Sequence, residues 1–233
     1  MFADDLAALV FDFDRTLVPL GNFVKWREAL PEMLERYRAS GVPDELLDAA
    51  PRGCFGLYGH VALGHQLDEA ELARVQAEVS EVLGRFEAAG IGHAELLPGV
   101  EDLLRSLPGF ALAAGIVSSN PAWIIRRILE QEGVADCFGA VVGREGLRSI
   151  KPSPEGMQRC CALLGVAPER CLGVGDNAGD IEASRAAGMP AVGVATGVST
   201  ADALAAAGAM EVFGDLRDLH TALRRWHATR GTS

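Results

Sequence analysis

The sequence predicts an α/β protein: a doubly wound, mostly parallel sheet with a smaller helical region inserted after its first strand. Three observations carry this. Short apolar runs rich in Val and Ile recur: "LAALVFD", "FALAAGIVSS", "GAVVG", "CLGVGD" and "PAVGVAT". They barely alternate, as strands covered on both faces do. Helical stretches separate the later runs, the alternation that builds a parallel sheet. The interval from about Leu20 to Ala94 holds no convincing strand. The expected division is an α/β core over 1–19 and 95–233 with a helical cap over 20–94.

Each element has its own signal. In "LDEAELARVQAEVSEVLGRFEAAG", Leu72, Val75, Val79, Val82, Leu83 and Phe86 share one stripe, and Asp68 with Glu71 at its start resembles a capping box. The Gly-rich "RGCFGLYGHVALGH" reads as a break between helical parts. "PAWIIRRILEQEG" places Trp123, Ile124, Ile128 and Leu129 on one helix face and stops at Gly133. "SPEGMQRCCALLG" offers Ser153 as N-cap, Pro154 at the first helical position and Gly165 as the stop. "DIEASRAAG" is a further helix ending at Gly188.

The chain has 233 residues, 49% hydrophobic, enough for a sizeable core. Its formal charge of −11 repels phosphate backbones and anionic membranes, so neither nucleic acid nor a membrane surface is an expected partner. No apolar run approaches the ~20 residues that span a bilayer. Five cysteines without metal-ligand spacing read as reduced thiols. The acidic start "MFADDLAAL" is unlike a signal peptide. A cytoplasmic location is expected, and assembly state leaves no signal.

Four of the expected strands are followed by polar groups: Asp12 and Asp14; Ser118, Ser119 and Asn120; Lys151; and Asp176 with Asp180. Carboxyl ends of parallel strands share one crevice, so these groups can meet across most of the chain. Carboxylates gathered alone repel one another, and oxygen donors at this density favour Mg²⁺ bridging to a phosphate. Lys151 and Ser118 would then hold phosphoryl oxygens. Asp12 is placed to attack phosphorus, forming an aspartyl-phosphate. Asp14 is placed to protonate the leaving oxygen and later activate water. "GVGDNA" also fits a dinucleotide fingerprint, but no acid stands about 20 residues on, and that reading is rejected.

In these motifs the chain resembles the haloacid dehalogenase-like hydrolase superfamily, in particular phosphatases with a helical cap after the first motif, the phosphoglycolate phosphatase and β-phosphoglucomutase-like subgroup. "DFDRTL" is similar to its nucleophile motif, implying Asp12 as nucleophile, Asp14 as acid/base and Thr16 in support. "GIVSSN" is similar to its Ser/Thr motif, implying Ser118 as phosphate ligand, with Ser119 and Asn120 beside it. "IKPSPEGM" implies Lys151. "VGDNAGDIEASRAAGM" implies Asp176 as Mg²⁺ ligand, completing Asp12 and the backbone carbonyl of Asp14, with Asp180 supporting. One departure is Arg15, where the family usually has Gly.

The expectation is a Mg²⁺-dependent phosphatase acting on a small phosphorylated metabolite. The alternative is a sugar phosphomutase-type phosphotransferase, against which Thr16 counts weakly. A haloacid dehalogenase attacks carbon and needs no acid at Asp14, and a non-catalytic phosphometabolite-binding protein would have lost a chemical group. Cap candidates for substrate contact are Trp26, Arg27, Arg52, Tyr58 and His60; His60 and His65, four apart, are too few ligands for zinc.

Overall fold

Six strands form one sheet: β1 (Ala8–Phe11), β2 (Ala113–Val117), β3 (Ala140–Val142), β4 (Cys171–Gly175), β5 (Ala191–Val194) and β6 (Val212–Phe213). The computed structural model describes residues 2–64 and 67–230. Strand order is β3-β2-β1-β4-β5-β6, with every neighbouring pair parallel. The expected sheet is therefore parallel throughout, and it gains a two-residue edge strand, β6, too short to signal itself.

Alternation along β1 shows why both faces must be covered. Leu9 and Phe11 enter one apolar cluster while Ala8 and Val10 enter another. The first face is closed by α5 (Val100–Ser106), α6 (Ala122–Gln131) and α10 (Leu216–Arg230), which contribute Leu103, Ile124, Ile125, Ile128, Leu219 and Leu223. The second is closed by α7 (Glu155–Leu164) and α8 (Ala178–Ala186) through Met157, Cys160, Cys161 and Ala183. The remaining small helix, α9 (Ala201–Ala206), buries Leu204 against the β5 side.

Between β1 and α5 the described residues form four α-helices: α1 (Trp26–Ala39), α2 (Asp44–Asp48), α3 (Cys54–Gly64) and α4 (Glu69–Ala88). They build a cluster of their own from Met33, Tyr37, Leu57, Val61, Val75, Val79 and Leu83, and Trp26 and Phe86 pack against both this cluster and the sheet's. Tyr37 Oη donates to Gln76 Oε1 at 2.9 Å, and Gln76 Nε2 donates to the Tyr58 carbonyl at 3.1 Å. No strand occurs among the described residues of 20–94.

Local readings change in three places. The Gly-rich stretch is itself a helix, α3, because burial against α1, α2 and α4 outweighs glycine's poor propensity. Trp123 is exposed; Ile125 replaces it on the buried face of α6. Helix α7 begins one residue later than expected, at Glu155, whose N–H reaches Ser153 Oγ at 3.4 Å. At α4, Asp68 Oδ1 caps Glu71 N at 2.8 Å. Among the described residues no helix is long and apolar enough to cross a membrane.

Candidate active site

The order of the sheet reverses beside β1: the chain runs outward through β2 and β3, then returns to place β4 on the other side of β1. Such a switch point opens a crevice at the strands' carboxyl ends. A cavity of about 770 Å³ lies there, lined by Asp12, Asp14, Ser118, Ser119, Asn120, Lys151, Asp176 and Asp180. Eight candidate side chains from four separate segments thus share one space.

Backbone pairing sets the first acid. Asp12 N–H donates to the Val174 carbonyl at 2.8 Å, so Asp12 stands at the end of β1 against β4. Asp176, two residues beyond Val174, then faces it. One carboxylate oxygen from each of Asp12, Asp176 and Asp180 lies within 4.8 Å of the others, and all three residues are buried. Lys151 sits among them: its Nζ pairs with Asp12 Oδ1, lies 2.5 Å from Asp180 Oδ1 and donates to the Val117 carbonyl at 3.1 Å. The Lys151–Pro152 peptide is cis.

Asp176, Asp180 and Asp14 are also held by hydrogen bonds from their surroundings. Asp176 Oδ2 accepts from Val198 N at 3.0 Å, and the fully buried Thr16 donates its Oγ1 to Asp176 Oδ1 at 3.3 Å. Asp180 Oδ2 accepts from Asn177 N at 3.0 Å, so this acid caps α8 and pairs with Lys151 at once. Asp14 is half-buried and is not one of the three clustered acids; its Oδ1 accepts from Gly21 N at 2.8 Å. Ser118 Oγ donates to Asn120 Oδ1 at 3.0 Å and accepts from Asn120 N at 3.1 Å.

Burial dominates the electrostatics. It raises Asp12 above the ordinary carboxylate range, with Lys151 opposing and Asp176 adding to the rise. It lifts Asp180 from 3.8 to about 6, with Lys151 again opposing. Asp176 rises by burial and then by the neighbouring charge of Asp180. Burial takes Asp14 to about 6, against the Gly21 hydrogen bond. For Lys151, burial disfavours the ammonium, but Asp12 and Asp180 overcome it and hold the side chain charged. A hard, oxygen-only, buried donor set of this kind fits Mg²⁺ better than a softer metal.

The cap candidates separate. His60 lines the cavity; Trp26, Arg27, Arg52 and Tyr58 do not. Trp26 donates its indole Nε1 to the Gly21 carbonyl at 3.0 Å and packs on Phe55. Arg27 and Arg52 are exposed, and Tyr58 is buried among the α1–α4 side chains. His65 lies outside the described residues. The cavity wall contributed by residues 20–94 is instead Pro51 and α3, presenting Phe55, Gly56, Gly59, His60 and Leu63. Arg15 also lines the cavity, in a left-handed conformation with φ 65°. Its backbone is fixed on both sides, by Arg15 N donating to Val18 O at 2.6 Å and Thr196 Oγ1 donating to Arg15 O at 2.6 Å.

The model of haloacid dehalogenase-like hydrolases matches residues 6–188. The chain belongs to the haloacid dehalogenase-like hydrolases. Among relatives, a phosphoglycolate phosphatase of Rhodospirillum rubrum is 30% identical over 227 residues, 91% of this chain and 88% of that protein. One from Salmonella typhimurium is 34% identical over 133 residues, 57% of this chain. The chain spans about half, 53%, of that relative's length. A solved hydrolase from Pseudomonas syringae, 20% identical, shares the fold with a TM-score of 0.67 over 94% of this chain and 98% of its own.

This haloacid dehalogenase-like chain also holds a group its motifs do not announce. Arg144 and Glu87, both fully buried, pair behind the crevice, with Nη2 2.8 Å from Glu87 Oε2. Glu87 Oε1 also accepts from Asn120 Nδ2 at 2.8 Å. In sequence both look like solvated charges; only their partners, far along the chain, identify them.

Proposed function

We propose that this chain is a Mg²⁺-dependent phosphomonoesterase acting on a small phosphorylated metabolite through an aspartyl-phosphate on Asp12. The observation that carries the reading is the meeting of Asp12, Asp176 and Asp180 around Lys151 in one cavity. The Asp12 carboxylate attacks phosphorus as the bond to the leaving oxygen breaks, and Asp14 gives that oxygen a proton. Asp14, now ionised, takes a proton from water as the water attacks the acyl-phosphate, releasing phosphate and restoring Asp12. A pKa lifted to about 6 suits Asp14 to both duties. The Ser118 hydroxyl, swinging its single proton from Asn120 Oδ1 to the substrate, binds a phosphoryl oxygen together with the second Asn120 amide hydrogen and the Ser119 backbone N–H; Lys151 supplies the positive charge that the acidic cavity otherwise lacks.

Mg²⁺ would be held by Asp12, Asp176 and the Asp14 carbonyl, with Asp180 adjoining, and when bound it neutralises phosphoryl charge. Residues 20–94 act as a cap over the crevice, with α3 facing the leaving group. The cavity's size favours a metabolite over a macromolecule, and the phosphoglycolate phosphatase relatives make phosphoglycolate the first substrate to try. The five free thiols agree with a cytoplasmic site of action.

The test is a panel of phosphate monoesters with Mg²⁺, headed by phosphoglycolate and including hexose phosphates, run on the native chain and on Asp12→Asn. Release of free phosphate that vanishes in Asp12→Asn and in chelator is expected. Turnover surviving either treatment overturns the mechanism, and an isomerised sugar phosphate in place of free phosphate moves the chain to the phosphotransferases.

A further inference from the structure

The Arg144–Glu87 pair is the largest piece of buried charge that the chemistry above leaves unused. Arg144 spends its whole guanidinium on it. Nε donates to Ser80 Oγ at 2.7 Å, Nη1 to Glu87 Oε1 at 2.8 Å and the Ser119 carbonyl at 2.9 Å, and Nη2 to the Ser80 carbonyl at 2.7 Å. Nη2 also faces Glu87 Oε2. Every nitrogen of the fork has an acceptor, the condition a buried guanidinium requires.

Stability alone is a poor reason for such a pair, because apolar replacements of buried ion pairs are often neutral or better. Nor does local structure call for it: Glu87 lies in the last turn of α4, the end at which the helix dipole disfavours a carboxylate. What the pair does is join three segments. Ser80 and Glu87 belong to α4. Ser119 and Asn120 follow β2. Arg144 follows β3 and also donates its own N–H to the Asn120 carbonyl at 3.2 Å. The next residue, Glu145, accepts from Ala122 N at 2.8 Å, fastening the same loop once more. Gly143 leaves no room there for a Cβ against the Ala122 backbone.

The direction of the hydrogen bonds decides the consequence. An ionised carboxylate only accepts, so Asn120 must turn its amide nitrogen to Glu87. Its Oδ1 is thereby left facing Ser118 Oγ. We infer that Glu87 and Arg144 are positioning residues for phosphoryl transfer: Glu87 fixes the Asn120 amide, Asn120 fixes the Ser118 hydroxyl, and Arg144 ties both to α4. The geometry of the phosphate subsite is therefore set from the helical region as well as from the sheet. This rests on the phosphatase reading above.

The test uses the full chain, a phosphate monoester and two substitutions that rank oppositely under the rival accounts. Glu87→Gln keeps the length and an acceptor for Asn120 but loses the charge. Glu87→Asp keeps the charge but withdraws it by one methylene. Positioning predicts that Glu87→Asp loses about tenfold or more in kcat, with KM changing less, as sub-ångström misplacement does, and that Glu87→Gln loses less. A merely structural pair predicts the reverse order, read as Tm, with kcat of each folded variant native. In the Asn120→Ala background, Glu87→Asp should add no further loss of kcat. Additive losses, or native kcat in folded Glu87→Asp, overturn the inference, and this cycle decides the matter if Glu87→Gln fails to fold. Asp12-dependent turnover by the native chain tests the phosphatase reading separately. Should that turnover be absent, calorimetric binding of orthophosphate to the same variants reads the subsite, and unchanged affinity in Glu87→Asp overturns the positioning role.

Discussion

Replacing Lys151 with methionine removes one ammonium and keeps most of the stem's volume. The ammonium bridges Asp12 and Asp180, and all three side chains are at most 9% exposed. Removing one partner of a buried pair costs about 3–5 kcal/mol. For a chain of this size each kcal/mol is about 2–4 °C, so Tm in chelator should fall by about 6–20 °C at pH 8. The fall must depend on pH. Burial already lifts Asp180 from 3.8 to about 6, so the folded state holds this proton more tightly than the unfolded chain does. The stability it contributes is full below about 3.8 and is lost as pH rises through about 6. Lys151 restrains the rise of both Asp12 and Asp180. Without it their folded pKa values move further up, and at pH 5 the carboxylates take protons instead of standing uncompensated. Thermal melts of native and Lys151→Met protein in chelator at pH 5 and pH 8 should therefore show a small deficit at pH 5 and the full deficit at pH 8. Equal deficits at the two pH values, or none at pH 8, refute the account of Lys151 as the counter-charge of the cluster.

Three further outcomes follow from the site. Adding Mg²⁺ to native protein should raise Tm more at pH 8 than at pH 5, since its carboxylate ligands must lose their protons first; melts with and without the ion at both pH values measure this. Asp14→Ala should still release one equivalent of phenol rapidly from an aryl phosphate, whose leaving group needs little protonation, and should show no such burst with alkyl phosphates, while steady-state turnover of both falls about 10²–10⁴-fold because the same residue activates water; pre-steady-state and steady-state assays on the two ester classes check it. With native protein, alkyl ester turnover should decline as pH rises through about 6, where Asp14 gives up its proton. Arg15→Gly should relieve the left-handed backbone at φ 65° for a net gain of about 0.5–1 kcal/mol, seen as a Tm increase of about 1–4 °C.

Much of this was legible in sequence for a physical reason. A strand covered on both faces is continuously apolar, so five strands declared themselves, and the acids after β1 and β4 stood out against that background. The edge strand β6 did not, because two residues carry no period. Helix α3 was obscured because its glycines argue locally for a break, whereas its neighbours supply the burial that decides the matter. Among contact candidates, side-chain type was a poor guide: Trp26 and Arg52 look like recognition residues, yet one is a packing joint between two cores and the other is solvated. Glu87 and Arg144 were invisible for the complementary reason. A charge 57 positions from its partner is indistinguishable from a surface charge until the fold unites them.

The wall that α3 turns toward the crevice carries almost no side chains at Gly56 and Gly59. The width of the chamber there is set by main chain, and the two positions are unequal. A methyl at 56 would press within 2.8 Å of the Pro51 carbonyl, while one at 59 would meet nothing closer than Ile150 at 3.8 Å. Position 59 is thus a dial: alanine, then serine or valine, would shrink the room left for the departing alcohol in small steps, with the phosphorus-binding floor untouched.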